Sequence, residues 1–227
     1  MDILSLTRGP ALVLALGVFV LGALWRLATI LRRPRMPDLS PAREGAPSDL
    51  IGALRAVQHG LWPRKEFAQA ALGSTINGYV FHLGLALVFL GYAPHIAFVQ
   101  RLSGLSWPPL PDAVMYLAAG ATIVSLLLAV VSRLTNAVLR KISTADDLIT
   151  WTLVMLPMLT GMSVVVEPSL AILARDHVTY PIPLAIHLLS VELLLIWFPF
   201  GKLMHAFLFV FSRGATGMRF SHRGVQL

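Results

Sequence analysis

Long runs of apolar residues, separated by polar segments, dominate the chain. Five runs are long enough to cross a bilayer as helices, because a transmembrane helix needs about 20 apolar residues. We predict spans at about 11–30, 76–99, 113–131, 148–166 and 182–211. The first run is expected to be a retained anchor, because its basic cluster follows the apolar stretch instead of preceding it. The pattern predicts an all-α integral membrane protein, built as one five-helix bundle.

The segment 32–74 is the one long polar stretch. Its first part is rich in proline and charge and is predicted to be an extended loop. From Ser48, a plausible N-cap, apolar residues return at helical spacing and predict an amphipathic helix over about 48–61. Such a helix would lie on the membrane surface or dock on a partner subunit. His59, within it, is interpreted as a solvated or interface histidine.

Composition supports a membrane protein and narrows its chemistry. Of the 227 residues, 56% are hydrophobic and 13% are charged, and mean hydropathy is +0.75. The chain has no cysteine, which excludes disulfides, iron–sulfur clusters bound by this chain, and covalently attached haem. The net charge of +7 does not indicate nucleic-acid binding, because the basic residues flank the apolar runs.

The distribution of Lys and Arg predicts the topology. With five spans, fifteen of these residues fall on one side of the membrane and three on the other. The positive-inside rule then predicts an outside N-terminus, a cytoplasmic C-terminus and a cytoplasmic 32–74 segment. We expect a multi-pass protein of the cell's inner (plasma) membrane.

Four histidines lie within two of the predicted spans. His187 and His205 are eighteen positions apart, so in one continuous helix they would share a face, about 27 Å apart and near opposite membrane surfaces. His82 and His95 lie in the second span, which runs in the opposite direction. Antiparallel helices would therefore pair His82 with His205 and His95 with His187 at matched depths.

Two imidazoles at one depth are typical of bis-histidine ligation of a b-type haem, and two such pairs predict two haems. Thirteen residues separate His82 from His95 and rotate the helix by about 220°, so Pro94 must redirect the end of this span. Hydrogen-bonded core histidines are the alternative. Gly84 and Gly91 would let a flat macrocycle approach the backbone, or would simply permit close helix packing.

At these residues the sequence resembles the gamma subunit of respiratory nitrate reductase and related membrane cytochromes b. Those relatives include the subunits of Dsr-type and heterodisulfide-reductase-type complexes. The resemblance rests on FHLGLALVFLGY (81–92) and IHLLSVELLLIWFPFGKLMH (186–205).

The resemblance implies ligand roles for the histidines. His82 and His205 match the ligands of the cytoplasm-proximal haem, and His187 matches one ligand of the outer haem. The family pattern would place the second outer ligand at Tyr92, so His95 is the natural substitute; otherwise the outer haem has a different ligand or is absent. This departure favours a divergent branch over a true nitrate reductase subunit.

The resemblance also implies a respiratory role. A quinol such as menaquinol would be oxidised near the outer haem, and electrons would pass inward to cytoplasmic iron–sulfur and catalytic subunits. Glu192, the one acid deep in a span, could accept a proton from quinol, or could instead bond a neighbouring helix while protonated. His177 on the outer loop is a second proton-transfer candidate. Arg101 could pair with a haem propionate or could be a solvated loop charge.

Two other functions are compatible with the spans. The first is the diheme anchor of a fumarate reductase or succinate dehydrogenase, which the two quoted motifs disfavour. The second is a haem-free transporter or assembly scaffold, which would lack a haem spectrum.

Overall fold

The computed structural model describes residues 2–34, 38–164 and 181–225, and these residues are helical with no β-strand among them. The helices are α1 (Ile3–Leu6), α2 (Leu12–Leu31), α3 (Asp49–His59), α4 (Ala68–Gly91), α5 (Ala93–Ser103), α6 (Asp112–Thr135), α7 (Ala137–Ile142), α8 (Ala145–Val164), α9 (Pro181–Trp197) and α10 (His205–His222). The predicted all-α class is confirmed.

Four of the described helices are long and apolar enough to cross a membrane: Ile3–Leu31, Lys65–Gly91, Asp112–Thr135 and Ala145–Val164. A fifth candidate exists only if Ile182–Trp197 and Lys202–His222 are counted together across a break. The third predicted span, 113–131, lies within α6, and the fourth, 148–166, agrees with α8 up to Val164, its last two residues lying outside the described ones. The chain is therefore a multi-pass membrane protein, with four or five candidate spans among the residues that the structure describes.

The predicted last span, 182–211, is wrong as one continuous helix. α9 ends at Trp197, the chain turns at 198–201, and a short 3-10 turn precedes α10. Pro199 explains the interruption, because proline lacks the N–H that an α-helix needs and clashes with the preceding turn. The argument that His187 and His205 share one face of a continuous helix is therefore wrong as well.

The predicted second span, 76–99, is also divided. α4 starts earlier, at Ala68, and ends at Gly91, after which Tyr92 adopts an extended conformation before α5. Pro94 occupies the first turn of α5, where its fixed φ is favourable and no N–H is needed. The chain thus changes direction between His82 and His95, as their spacing requires.

The chain divides into two compact units, Met1–Phe19 with Gly73–Trp197 and Val20–Leu72 with Phe198–Leu227. In the first unit α8 packs against α9 and α6. Most of the buried apolar side chains here are alanine or methionine, including Ala118, Met155 and Met158. Small residues let helix backbones approach closely, which drives packing where lipid provides no hydrophobic force.

Polar bonds connect the helices of the first unit. The Asn77 amide donates to the Ser125 carbonyl (3.1 Å), and the Ser125 hydroxyl donates to the Asn77 carbonyl (2.8 Å). The Trp197 indole donates to the Thr150 hydroxyl at 3.0 Å. These bonds set the rotation of α4 against α6 and of α9 against α8.

In the second unit α3 packs against α10 through small residues. Gly52 and Ala56 are buried, and a Cβ at Gly217 would overlap the Gly52 carbonyl and Ala56. Helix α3 agrees with the predicted 48–61 segment and has Ser48 at the N-cap position, although its side chain makes no cap bond. The apolar face stays exposed, with Leu50 at 68%, so the membrane surface and a partner subunit remain the predicted positions for it.

The end of the predicted loop is attached to the end of α10, which the sequence does not predict. The Arg43 amide donates to the His222 carbonyl at 3.0 Å. The Arg223 Nε donates to the Asp38 carboxylate at 2.8 Å. The Arg223 guanidinium, and after it the Ser40 hydroxyl, hold the pKa of Asp38 well below its ordinary value.

Candidate functional site

The rings of His95 and His187 lie side by side in the first unit. Their centroids are 6.3 Å apart and the ring planes differ by 20°. His95 comes from the first turn of α5 and His187 from the second turn of α9. The predicted proximity of these two imidazoles is therefore present in the structure.

The break after α4 positions His95. Its Nδ1 bonds back across the break to the Val88 carbonyl in the last turn of α4, at 3.0 Å. Phe89 and Tyr92 lie against the imidazole, with ring centroids 5.8 and 5.3 Å away. Because a backbone carbonyl can only accept, this bond places the proton of neutral His95 on Nδ1 and leaves the lone pair on Nε2.

Helix α8 positions His187. Its Nδ1 lies 3.2 Å from the Thr160 hydroxyl, which also lies 2.9 Å from the Ser190 hydroxyl. Thr160 donates to the Leu156 carbonyl (2.7 Å), so its oxygen can accept the His187 Nδ1–H. Gly161 makes room for the ring, because a Cβ there would lie 3.2 Å from Cε1 of His187.

The two imidazoles are stacked, and the 6.3 Å between their centroids is the feature that suits a metal shared by both rings. Metal–nitrogen bonds of about 2 Å on both sides would place the two ring centroids about 6 Å apart. Metal-bound histidines almost always use the other ring nitrogen for a hydrogen bond to a carbonyl, carboxylate or water, and both Nδ1 atoms here are bonded. His95 and His187 are the residues that would hold a b-type haem here, and the haem would supply redox chemistry. Larger clusters of three or more acidic or histidine ligands do not occur among the described residues.

His82 and His205 show the same kind of anchoring. The Nδ1 of His82 bonds to the Gly78 carbonyl at 2.7 Å, and that of His205 bonds to the Lys202 carbonyl at 2.9 Å. Both side chains are exposed on the surface of this chain. They belong to different units, so their pairing stays a prediction.

Glu192 is buried in α9, one and a half turns beyond His187. Only 4% of the residue is exposed, and its Oε1 has no hydrogen-bond partner among the described residues. Burying an unpaired carboxyl group in a membrane helix is costly, and such groups are usually functional. A proton-exchange role for Glu192 remains a prediction.

The other predicted site residues are distributed around this centre. The gap at Gly84 is filled by Thr122 of α6, and that at Gly91 by Leu110 and Met115. Both glycines thus serve close packing within the chain, and their contact with a cofactor stays a prediction. Arg101 is exposed in the last turn of α5, where the helix dipole favours a cation. His177 lies outside the described residues.

The sequence alone did not identify Thr160, Ser190 and Gly161 as parts of the site. Hydroxyl residues and glycines are common in membrane helices, and no motif distinguishes these from packing residues. The position of His187, ten residues before the end of α9, carries no information about which residue of α8 faces it. The contact became visible only with the rotation of both helices.

Comparison with known proteins gives one distant similarity. No protein-family profile matches the chain. A protein of Nitratidesulfovibrio vulgaris strain Hildenborough is 29% identical over 204 residues, which cover 89% of this chain and 82% of the relative. That relative is described only as "Protein", so the similarity extends over most of the chain without assigning a function.

Proposed function

We propose that this protein is a diheme membrane cytochrome b. It would oxidise quinol near the outer face of the membrane and deliver the electrons to cytoplasmic iron–sulfur and catalytic subunits. Haem iron, when bound, supplies the one-electron redox chemistry that none of the chain's own side chains provides. The chain itself has no cysteine for clusters, which suits a subunit that passes electrons to a partner.

One observation carries the proposal: the His95 and His187 rings are nearly parallel at 6.3 Å, and each is anchored through Nδ1. The same anchoring at His82 and His205 supports a second site of the same kind. A core histidine could bond through either nitrogen. All four predicted ligands bond through Nδ1, and this regularity fits metal ligation better than core packing.

The side chains around the outer pair would orient the ligands and handle protons. The Val88 carbonyl fixes the tautomer of neutral His95 and leaves a lone pair on its Nε2, and the Thr160 hydroxyl bonds the Nδ1 of His187 and orients that ring. Glu192 lies on the same helix as His187 and could take a proton when quinol loses two electrons and two protons. Protons released on the outer side, with electrons moving inward, would make the reaction electrogenic.

The test is an optical spectrum of the purified protein with a haem-to-protein ratio. We expect a reduced-minus-oxidised spectrum with a b-type α-band and about two haems per chain. His95→Ala and His187→Ala should each remove the same haem, leaving about one. His59→Ala is the matched control, because His59 lies on α3 and is not a proposed ligand.

The outcomes separate the candidate functions. Absence of an α-band would refute the cytochrome and support the haem-free scaffold or transporter. If the haem-to-protein ratio does not change in His95→Ala and His187→Ala, the outer site is rejected. The inner site is then tested in the same way at His82 and His205.

A further inference from the structure

A basic cavity of about 370 Å³ lies in the second unit, between α2 and the start of α10. Helix α2 contributes Arg26, the turn before α10 contributes Lys202, and one face of α10 contributes Ser212 and Arg213. The lining thus combines cations from three places in the sequence. This arrangement does not follow from any single helix.

The charges that line the cavity are all of one sign. Arg26, Lys202 and Arg213 line it, and no acidic side chain does. Like charges brought to one cavity repel each other, and the repulsion is strongest where water is partly excluded. An anion bound between them would remove this cost.

Arg26 provides the independent sign of a missing ligand. Its Nε is buried and has no hydrogen-bond partner among the described residues. A buried guanidinium N–H without an acceptor is unfavourable, whereas an arginine that faces a phosphate forms strong, charge-assisted bonds. The cavity offers the space for such an acceptor.

Arg213 is partly held in place before any ligand binds. Its guanidinium carbon lies over the Phe209 ring, 6.0 Å from the centroid, and both residues line the cavity. Cation–π contact restrains a side chain that would otherwise be free to move in solvent. The Ser212 side chain, in the same lining, adds a hydroxyl donor.

The surroundings of Arg26 favour a lipid as the source of the anion. Leu21, Leu24 and Trp25, on the same helix, are 69%, 57% and 59% exposed, so they form an apolar surface beside the cavity. The helix belongs to a candidate span, and tryptophan is enriched at the level of lipid headgroups. Acyl chains could lie on this surface while a phosphate enters the cavity.

We infer that the cavity formed by Arg26, Lys202, Ser212 and Arg213 binds the phosphate of an anionic phospholipid. The Lys and Arg count predicts that this side of the membrane is cytoplasmic, where basic pockets between helices bind such headgroups. The site is separate from the histidine pair in the first unit, but His205, a predicted haem ligand, also lines it. The inference does not rest on the proposed function.

The experiment measures lipid retention. The full chain is reconstituted with phosphatidylglycerol or with phosphatidylcholine, extracted in mild detergent, and its bound lipid is counted by native mass spectrometry. We expect phosphatidylglycerol to be retained selectively, and Arg26→Gln and Arg213→Gln each to weaken retention about fivefold to tenfold. Arg26→Lys, which keeps the charge, should retain most of it. Arg140→Gln, an exposed cation outside the cavity, is the matched control.

Three results would overturn the inference. Equal retention of phosphatidylglycerol by the wild type and the two glutamine variants would show that the cavity does not bind it. If millimolar inorganic phosphate displaces the lipid, and phosphate alone stabilises the protein equally well, the site belongs to a free anion. Loss of haem with unchanged lipid in Arg26→Gln would assign the cations to a haem propionate. Because haem and lipid are counted separately, failure of the cytochrome proposal would leave the lipid result interpretable.

Discussion

The imidazoles of His95 and His187 face each other with their ring planes only 20° apart and their centroids separated by 6.3 Å. Two neutral histidines brought together in an apolar region gain little from each other directly. Each instead has its Nδ1 occupied elsewhere, by Val88 in one case and Thr160 in the other. Under the proposed function, this arrangement would serve two ligands of one metal.

Thr160→Val should weaken the outer haem without removing either ligand. The substitution keeps the volume but deletes the hydroxyl that bonds His187 Nδ1, and loss of such a partner typically costs about 10- to 100-fold in metal affinity. We expect a lower haem-to-protein ratio and a shifted midpoint potential for one haem. Thr135→Val is the control, since the Thr135 hydroxyl bonds only its own helix at Val131. Equal effects of the two variants would refute the supporting role of Thr160.

Glu192→Gln should slow quinol oxidation and leave haem content unchanged. The amide has nearly the same shape but cannot take up a proton, and loss of a general base costs about a hundredfold or more in rate. The measurement is the rate of haem reduction by a soluble quinol analogue across a range of pH. A rate and a pH profile equal to those of the wild type would show that Glu192 has only a packing role.

Gly84→Ala should destabilise the protein through the contact of α4 with α6. A Cβ at this position would overlap the Thr122 hydroxyl, and overpacking of this kind costs about 1–3 kcal/mol. Thr122→Ala should partly restore the midpoint of thermal unfolding when it is combined with Gly84→Ala. Rescue would support helix packing, whereas loss of haem without rescue would favour the predicted contact with the macrocycle. Gly73→Ala, with no atom within 4 Å of the added Cβ, is the control.

Asp38→Asn should loosen the attachment of residues 38–47 to α10 at neutral pH. The pKa of Asp38 is lowered by the Arg223 guanidinium and then by Ser40, so its contribution to stability is complete above the ordinary carboxyl pKa near 4. It is lost progressively as pH falls from there toward the lowered pKa. Hydrogen exchange should therefore be faster in Asp38→Asn than in the wild type at pH 7, and the difference in protection should shrink on acidification. A difference that does not depend on pH would contradict the assignment.

Individual residues show how far pattern reasoning extends. The lengths of the apolar runs predicted α6 and α8 closely, because bilayer thickness sets how many apolar residues a spanning helix needs. It missed the break within the last predicted span, since Phe198–Gly201 is apolar enough to look continuous while Pro199 interrupts the helix. Hydropathy measures transfer into lipid and does not register a missing N–H.

The histidine pairs were predicted only from their depth in the membrane. Their contact depends also on a second coordinate, the rotation of each helix about its axis. His95 and His187 were expected at one level, but whether their rings face each other depends on helix rotation. The break at Tyr92 and the gap at Gly161 set that rotation. Neither effect can be calculated from spacing along a single helix.

The sequence by itself determined that the chain is all-helical, crosses the membrane several times and offers histidines as its candidate metal ligands. These properties follow from composition and from the need to satisfy every backbone N–H and C=O in lipid within one segment. Only the tertiary structure decided that His95 stands beside His187, that Thr160 and Gly161 receive the ring, and that Arg26 meets Arg213 around one cavity. Such contacts join residues far apart in the chain, and they depend on where each helix bends and which side it turns toward its neighbour.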